Sequence, residues 1–149
     1  MQASGMTKLA GAVVVVLGVS VCGCASLLNF LQSSVTTVRL VNNGSFTVSV
    51  ELYTSSEQNI PEAVLTADND DREEYAVPAG ETVTFARDCD DLQAIIIDEA
   101  DLNLVGQAGP EASTGVLRDG DDFGCGDIIT FTFDHSEILV DFDVAVSVQ

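Results

Sequence analysis

Alternation of apolar and polar side chains constrains the fold of this chain more than any other feature. In ILVDFDVAVSV, residues 138–148, every second side chain from Ile138 to Val148 is apolar. Because successive side chains of a β-strand point to opposite faces, this pattern predicts a strand with one buried face. The same period recurs from Phe46 to Leu52 in FTVSVELY. The chain is therefore predicted to build its core from sheets.

Further segments carry strand signals of the same kind. The continuous β-branched run in LQAIIID, residues 92–98, predicts a central strand that is buried on both faces. Asn43–Gly44 predicts a tight hairpin that joins the strands within 36–53, because both residues tolerate positive φ. Residues 54–74 read as a long surface loop, in which 60–67 form one helical turn or a short edge strand. The remaining strand candidates are TTVRLV (36–41), EYAVPAGETVTFAR (74–87, with a turn at Pro78), LNLV (102–105) and IITFTF (128–133).

These segments amount to about seven or eight short strands with frequent turns. They predict an all-β fold, an antiparallel β-sandwich of immunoglobulin-like architecture, preceded by an N-terminal signal or anchor helix. A small barrel or a jelly roll is the alternative. The chain has no tryptophan, so the Cys–Trp–Cys hallmark of true immunoglobulin domains is absent. The prediction therefore concerns architecture and not family membership.

The first thirty residues have a different character. A short polar start that carries Lys8 precedes the apolar run LAGAVVVVLGVSV, residues 9–21, and small residues follow in CGCAS. This layout is typical of a secretory signal peptide. The apolar run is shorter than the roughly 20 residues that a membrane-spanning helix needs. The segment is therefore expected to direct export.

The end of this segment resembles the bacterial lipoprotein signal, or lipobox. Val21, Gly23 and Cys24 supply the aliphatic, small and cysteine residues of that pattern, with Cys22 as an unusual occupant between them. The resemblance implies cleavage before Cys24 and a diacylglyceryl group on its sulfur. Two or more acyl chains suffice for stable membrane attachment. The implied organisation is a signal peptide at 1–23, a lipidated tether at 24–35 and a β-sandwich domain at 36–149.

Two other readings of the N-terminus stay open. Residues 9–31 would serve as an uncleaved membrane span if the apolar run continues through Leu31, and cleavage without lipidation would give plain export. A metal site at Cys22 and Cys24 is disfavoured, because no second Cys/His pair lies nearby with zinc-type spacing. The preferred location is extracytoplasmic, with the chain lipid-anchored to a bacterial membrane.

Cys89 and Cys125 are the two cysteines of the predicted domain. An even pair in an exported protein predicts a disulfide bond, and two buried free thiols are the alternative.

Acidic loops surround these cysteines. RDCDD at 87–91 is echoed by RDGDD at 118–122, and FGCGD follows at 123–127. If the disulfide gathers these loops, their carboxylates offer the hard oxygen ligands that calcium prefers. No EF-hand is present, because Phe123 and Thr130 stand where that loop needs an acid. In the other interpretation the aspartates cap turns and pair with Arg87 and Arg118. The candidate calcium ligands are Asp88, Asp90, Asp91, Asp119, Asp121, Asp122 and Asp127.

Charge and motif content restrict the function classes. The formal net charge is −19, which disfavours binding to nucleic acid and to anionic lipid headgroups. The single histidine, His135, lacks a nucleophile elbow or any other catalytic motif around it, so the chain is not expected to be an enzyme. The preferred function is a non-catalytic envelope-structural or protein-interaction module that needs no cofactor. A calcium-dependent binding domain is the alternative, and the sequence names neither a protein nor a glycan partner.

Overall fold

The computed structural model describes residues 34–67, 72–104, 109–135 and 141–149. The predicted signal peptide and most of the tether lie outside the described residues. The lipidation site Cys24 and the alternative membrane span at 9–31 lie there too. Within the described ranges, none of the helices has the length and apolar character needed to cross a bilayer.

Nine strands and one short helix make up the described part of the chain. They bear out the all-β prediction. Of the two alternatives for 60–67, the helical turn is the one present, as α1. In chain order the elements are β1 (Val35–Asn42), β2 (Val48–Ser55), α1 (Glu62–Leu65), β3 (Arg72–Val77), β4 (Thr82–Asp88), β5 (Ala94–Leu102), β6 (Glu111–Ala112), β7 (Leu117–Arg118), β8 (Ile128–His135) and β9 (Phe142–Val148).

The strands form two sheets. The first sheet has the order β4-β1-β8-β9, and the second has the order β3-β2-β5-β6, with β7 also paired to β5. Within the described ranges six of the seven strand pairs are antiparallel, and β1 runs parallel to β8. The parallel pair arises because both strands start at the same end of the molecule, where Thr37 lies beside Ile128. The predicted β-sandwich is confirmed.

One core fills the space between the sheets. Alternate side chains of β1, β8 and the first part of β2 are buried, as the period-two pattern predicted. Val146, in the predicted inward row of β9, is 38% exposed. Phe131 and Phe133 of β8 are the largest fully buried side chains of the first sheet, and Leu52 of β2 lies among their counterparts in the second. The other core residues are Val38, Leu40, Val48, Val50, Val77, Leu92, Ile95, Ile97, Ala100, Leu102, Phe123, Ile129 and Val144.

The central strand of the second sheet is β5. It pairs with β2 on one side and with β6 and β7 on the other. Residues 94–97 are buried on both faces, as the β-branched run predicted, whereas Asp98 is exposed. Ile95 and Ile97 enter the main core, whereas Ala94 and Ile96 face the opposite side. There they pack with Leu65 of α1, so the β2–β3 connection covers this half of the outer face.

A β-bulge lengthens β5 beyond its predicted end. Glu51 of β2 pairs with Glu99 but the next residue, Leu52, pairs with Ile97, which leaves Asp98 as an extra residue. The bulge shifts the alternation by one position, so Ala100 and Leu102 resume the inward row. Part of the segment predicted as a separate strand at 102–105 is therefore the end of β5.

The hairpin predicted at Asn43–Gly44 is wrong. β1 pairs with β4 and β8, whereas β2 pairs with β3 and β5, so this connection crosses from one sheet to the other. Gly44 does not have positive φ. Glycine is needed here for close approach, because a Cβ would lie 2.2 Å from Cδ2 of His135. The turn at 78–80 does use a left-handed glycine, since Gly80 has a φ of 70°.

Candidate functional site

The Cys89–Cys125 disulfide predicted from the sequence is present. The two Cα atoms lie 5.4 Å apart, and the bond joins residues separated by 36 positions. It links the loop after β4 to the turn before β8. Both segments lie at the end of the sandwich where β1 begins, which we call the disulfide end (residues 34, 88–93 and 119–127).

The chain enters the sandwich at the disulfide end. The backbone N–H of Cys89 donates a hydrogen bond of 3.0 Å to the carbonyl oxygen of Ser34, the first described residue. Around this contact lies an open depression of about 380 Å³, lined by Ser34, Asp88, Cys89, Asp90, Asp91 and Cys125. Any segment that precedes β1 therefore reaches the domain beside the disulfide and three of the predicted calcium ligands.

Two carboxylates of the second acidic loop accept hydrogen bonds from the backbone of that loop. Asp122 accepts a 2.8 Å hydrogen bond from the N–H of Arg118, and Asp127 accepts one of 2.7 Å from the N–H of Gly124. Gly120 and Gly126 have positive φ, as tight turns require. These contacts agree with the turn-capping interpretation of these two aspartates.

The arginines of the two loops do not make the aspartate pairs that this interpretation also expected. Arg87 forms its salt bridge with Glu73 of β3, and its guanidinium carbon lies 4.9 Å from the centre of the Phe85 ring. Arg118 donates to the carbonyl oxygens of Gln58 and Ile60. Both arginines thus contact residues outside the acidic loops, because the fold places them beside partners that are distant in sequence.

Calcium binding by these loops stays a prediction. In the described ranges, the seven predicted aspartates form no group of three with carboxylate oxygens within 4.8 Å of one another. The turn-capping interpretation, which the contacts of Asp122 and Asp127 support, predicts the same Tm of the domain in chelator and in millimolar calcium. A calcium-dependent rise in Tm that Asp121→Asn abolishes would contradict this expectation and assign calcium to the loop.

Acidic side chains do meet on the outer face of the second sheet. Glu99, Asp101 and Glu111 each place a carboxylate oxygen within 4.8 Å of the other two. The register explains their meeting, because Asp101 pairs directly with Glu111, and Glu99 lies two residues before Asp101 on the same face of β5. With Glu51 of β2 and Glu74 of β3 they form a surface that we call the acidic face.

Arg72 offsets part of the charge on the acidic face. Its Nη2 contacts carboxylate oxygens of both Glu51 and Glu74. Next to these residues is an open depression of about 300 Å³, lined by Ser49, Val50, Glu51, Glu74, Tyr75, Ala76 and Asp101. No described arginine forms a salt bridge with the three carboxylates farther along the sheet.

Crowding changes the acidity of one of these carboxyl groups. The hydrogen bond with Asp101 and the negative charge of that residue raise the pKa of Glu99 from 4.5 to about 7. Below about pH 7 the carboxyl group of Glu99 is therefore protonated and hydrogen-bonded to Asp101. The acidic face is a surface whose charge changes within the physiological pH range.

This shift predicts a pH dependence of stability. Between pH 4.5 and about 7 the folded chain binds more protons at Glu99 than the unfolded chain, so the free energy of unfolding falls as the pH rises through this interval. Glu99→Gln should remove this part of the dependence and stabilise the domain at pH 8. The gain should be below about 1 kcal/mol, because the side chains are partly exposed. Urea titrations at pH 5 and pH 8 measure it.

Asp98→Asn is the matched control, because Asp98 is the exposed bulge residue next to Glu99. The same flattening of the pH dependence in both variants would contradict the assignment to Glu99.

Sequence reasoning missed the acidic face. The strand prediction stopped at residue 98, so Glu99 and Asp101 were never placed on one surface. The signal was present in IIIDEADL, where the apolar residues at 95 and 97 are followed by apolar residues at 100 and 102. Such a change of phase requires one extra residue, and hence a bulge, between the two pairs.

The opposite end of the sandwich, which we call the Asn42 end (residues 42–47 and 78–81), is held by a buried side chain. Asn42 is 1% exposed. Its Nδ2 donates to the carbonyl oxygens of Phe46 at 2.7 Å, Val77 at 2.9 Å and Pro78 at 3.2 Å, and its Oδ1 accepts from the N–H of Gly44. One amide thus joins the two crossings between the sheets that lie at this end.

His135 belongs to the same end. It is the last residue of β8, and its Nε2 accepts a 2.8 Å hydrogen bond from the N–H of Ser45. Its ring lies 5.5 Å from the ring of Phe46. The imidazole therefore supports the 43–47 loop.

Comparison with known proteins gives little further information. No family model matches the chain, and no curated protein matches it. Among solved structures, a T6SS lipoprotein TssJ1 from Pseudomonas aeruginosa is 13% identical, with a TM-score of 0.46 over 78% of this chain and 96% of that one. A protein from Eubacterium rectale is 11% identical, with a TM-score of 0.44 over 76% of this chain and 88% of that one. At these scores neither likeness carries an argument about function, which has to rest on this chain itself.

Proposed function

We propose that the chain is an exported protein, lipid-anchored through Cys24, whose β-sandwich acts as a non-catalytic interaction or structural module of a bacterial envelope. The observation that carries the proposal is the order of features along the chain. A lipobox-like signal ending at Cys24 is followed, after a short tether, by a β-sandwich closed by a disulfide.

The disulfide supports export. Disulfide bonds persist in oxidising compartments outside the cytoplasm and are rare inside it, where thiols are kept reduced. The signal segment and the Cys89–Cys125 bond are independent features of the chain, and each calls for the same location.

The position of the tether decides which end of the domain lies nearer to the proposed lipid attachment. Ten residue steps separate Cys24 from Ser34, so the disulfide end lies within about 35 Å of the lipid-bearing residue even at full extension. The strands carry the Asn42 end a further distance of about 25 Å from there. The 43–47 and 78–81 loops are thus farthest from the point of attachment and accessible to partners.

The role of His135 supports a non-catalytic function. Its Nε2 is occupied as the acceptor for Ser45, and its ring contacts Phe46. A general base would instead need that nitrogen directed at a substrate.

The charge of the mature chain restricts its partners. Cleavage before Cys24 would leave four arginines against 24 acidic residues, a formal charge of −20. Such a surface repels nucleic acid and anionic headgroups, so we propose that attachment to the membrane depends on the lipid and that the partner is a protein or glycan.

Replacement of the acceptor cysteine tests this proposal. In a bacterial host, Cys24→Ala should abolish labelling by a fatty-acid analogue and move the chain out of the detergent-soluble membrane fraction. Cys22→Ala is the matched control, two residues away in the same segment, and should keep both properties. Membrane attachment that survives Cys24→Ala would contradict lipid anchoring and favour the membrane-span alternative.

A further inference from the structure

The Asn43–Gly44 pair carries chemistry that its place in the fold does not require. In an Asn–Gly sequence the glycine backbone nitrogen can attack Cγ of the asparagine, since no side chain on glycine hinders the approach. The new bond joins Gly44 N to Asn43 Cγ, and the bond from Cγ to Nδ2 breaks to release ammonia. Water then opens the cyclic imide and leaves aspartate or isoaspartate at position 43. The reaction needs no oxidant or reductant.

Asn43 is placed where water reaches it. Its side chain is exposed, and its Nδ2 donates a 3.1 Å hydrogen bond to Oδ1 of Asp134. Asn42, the preceding residue, is buried and held by carbonyl oxygens on the two crossings at the Asn42 end. The two adjacent asparagines therefore differ in access to water.

The attacking nitrogen is engaged elsewhere. The N–H of Gly44 donates a 2.9 Å hydrogen bond to Oδ1 of Asn42. His135 also packs against this residue, so closely that no Cβ would fit. Ring closure at Asn43 requires that Gly44 N leave Asn42 and turn toward the neighbouring side chain, which the packed loop resists.

We propose that Asn43 is a latent deamidation site and that Asn42 controls it, by holding the Gly44 nitrogen while the Asn42 end is folded. Local opening of this end releases the nitrogen and allows the reaction. The product is a carboxylate at position 43 facing the carboxylate of Asp134, so a hydrogen bond is replaced by like-charge repulsion. Deamidation then keeps the 43–47 loop from returning to its original state.

The test uses the full-length chain in detergent at mildly alkaline pH. Mass spectrometry of the peptide that contains Asn43 follows the conversion of amide to carboxyl in folded chain and in chain unfolded by urea. We expect the reaction in the folded chain to be roughly tenfold slower than in urea, because the Gly44 hydrogen bond has to break first. Gly44→Ala should slow the reaction in urea, which assigns the signal to this pair.

Two destabilised variants separate local control from general unfolding. Asn42→Ala should bring the folded rate close to the rate in urea. Cys89→Ser/Cys125→Ser weakens the opposite end and should keep the slow rate while circular dichroism shows it folded. Equal acceleration in both variants, or a folded wild-type chain that reacts as fast as in urea, would overturn the proposal. Hydrogen exchange of the Gly44 amide in the wild-type chain gives a check without mutation, and an unprotected amide there would also overturn it.

Discussion

Replacing Cys89 and Cys125 with serine should lower the free energy of unfolding by about 4 kcal/mol on the chain-entropy model, given a separation of 36 residues. The disulfide restricts the unfolded chain, and it ties β4 to the start of β8 across β1, the strand between them. For a domain of this size the loss corresponds to a fall in Tm of more than about 10 °C. Urea titration and thermal unfolding measure the two quantities.

Reduction supplies the control for this double variant. A reductant should lower the Tm of the wild-type chain toward that of the variant and leave the variant unchanged. A variant as stable as the oxidised wild-type chain would contradict the stabilising role of the bond.

Asn42→Ala should be the most destabilising replacement of a polar residue at the opposite end, with a loss of about 2–4 kcal/mol. The variant leaves the carbonyl oxygens of Phe46 and Val77 without the donor that they have now. It also leaves the N–H of Gly44 without its acceptor. Buried polar groups that lose their partners carry the full cost of their desolvation.

Asn43→Ala is the matched control, because Asn43 has the same side chain one residue later but is exposed. Its loss should stay within about 0.5 kcal/mol, as is usual for surface positions. Equal losses in the two variants would show that Asn42 does not act through its buried hydrogen bonds.

The strands of this domain follow from local sequence, but one of the crossings between its sheets does not. Alternation places Val48, Val50 and Leu52 on one face wherever β2 pairs, so the strand was predictable. The pairing of β1 and β2 was not, because Asn43–Gly44 is equally compatible with a hairpin. The crossing depends on Asn42, whose amide reaches Val77, 35 residues away.

The disulfide was likewise predictable from the sequence, whereas the contacts of the acidic side chains were not. Two cysteines in an exported domain are enough to predict their pairing. The seven aspartates near them were a compositional signal, and composition does not say what each carboxylate contacts. The structure assigns Asp122 and Asp127 to backbone N–H groups of their own turns. The carboxylates that do meet, Glu99, Asp101 and Glu111, are gathered by a bulge and by pairing between strands.

Mass spectrometry of the mature N-terminus tests the central claim most directly. The chain is expressed in a bacterial host, extracted from membranes with detergent and digested, and the N-terminal peptide is fragmented. Lipid anchoring predicts a peptide that begins at Cys24 and carries a diacylglyceryl group on its Sγ. A peptide that retains residues before Cys24, or one that begins near Cys24 with an unmodified thiol, would contradict it.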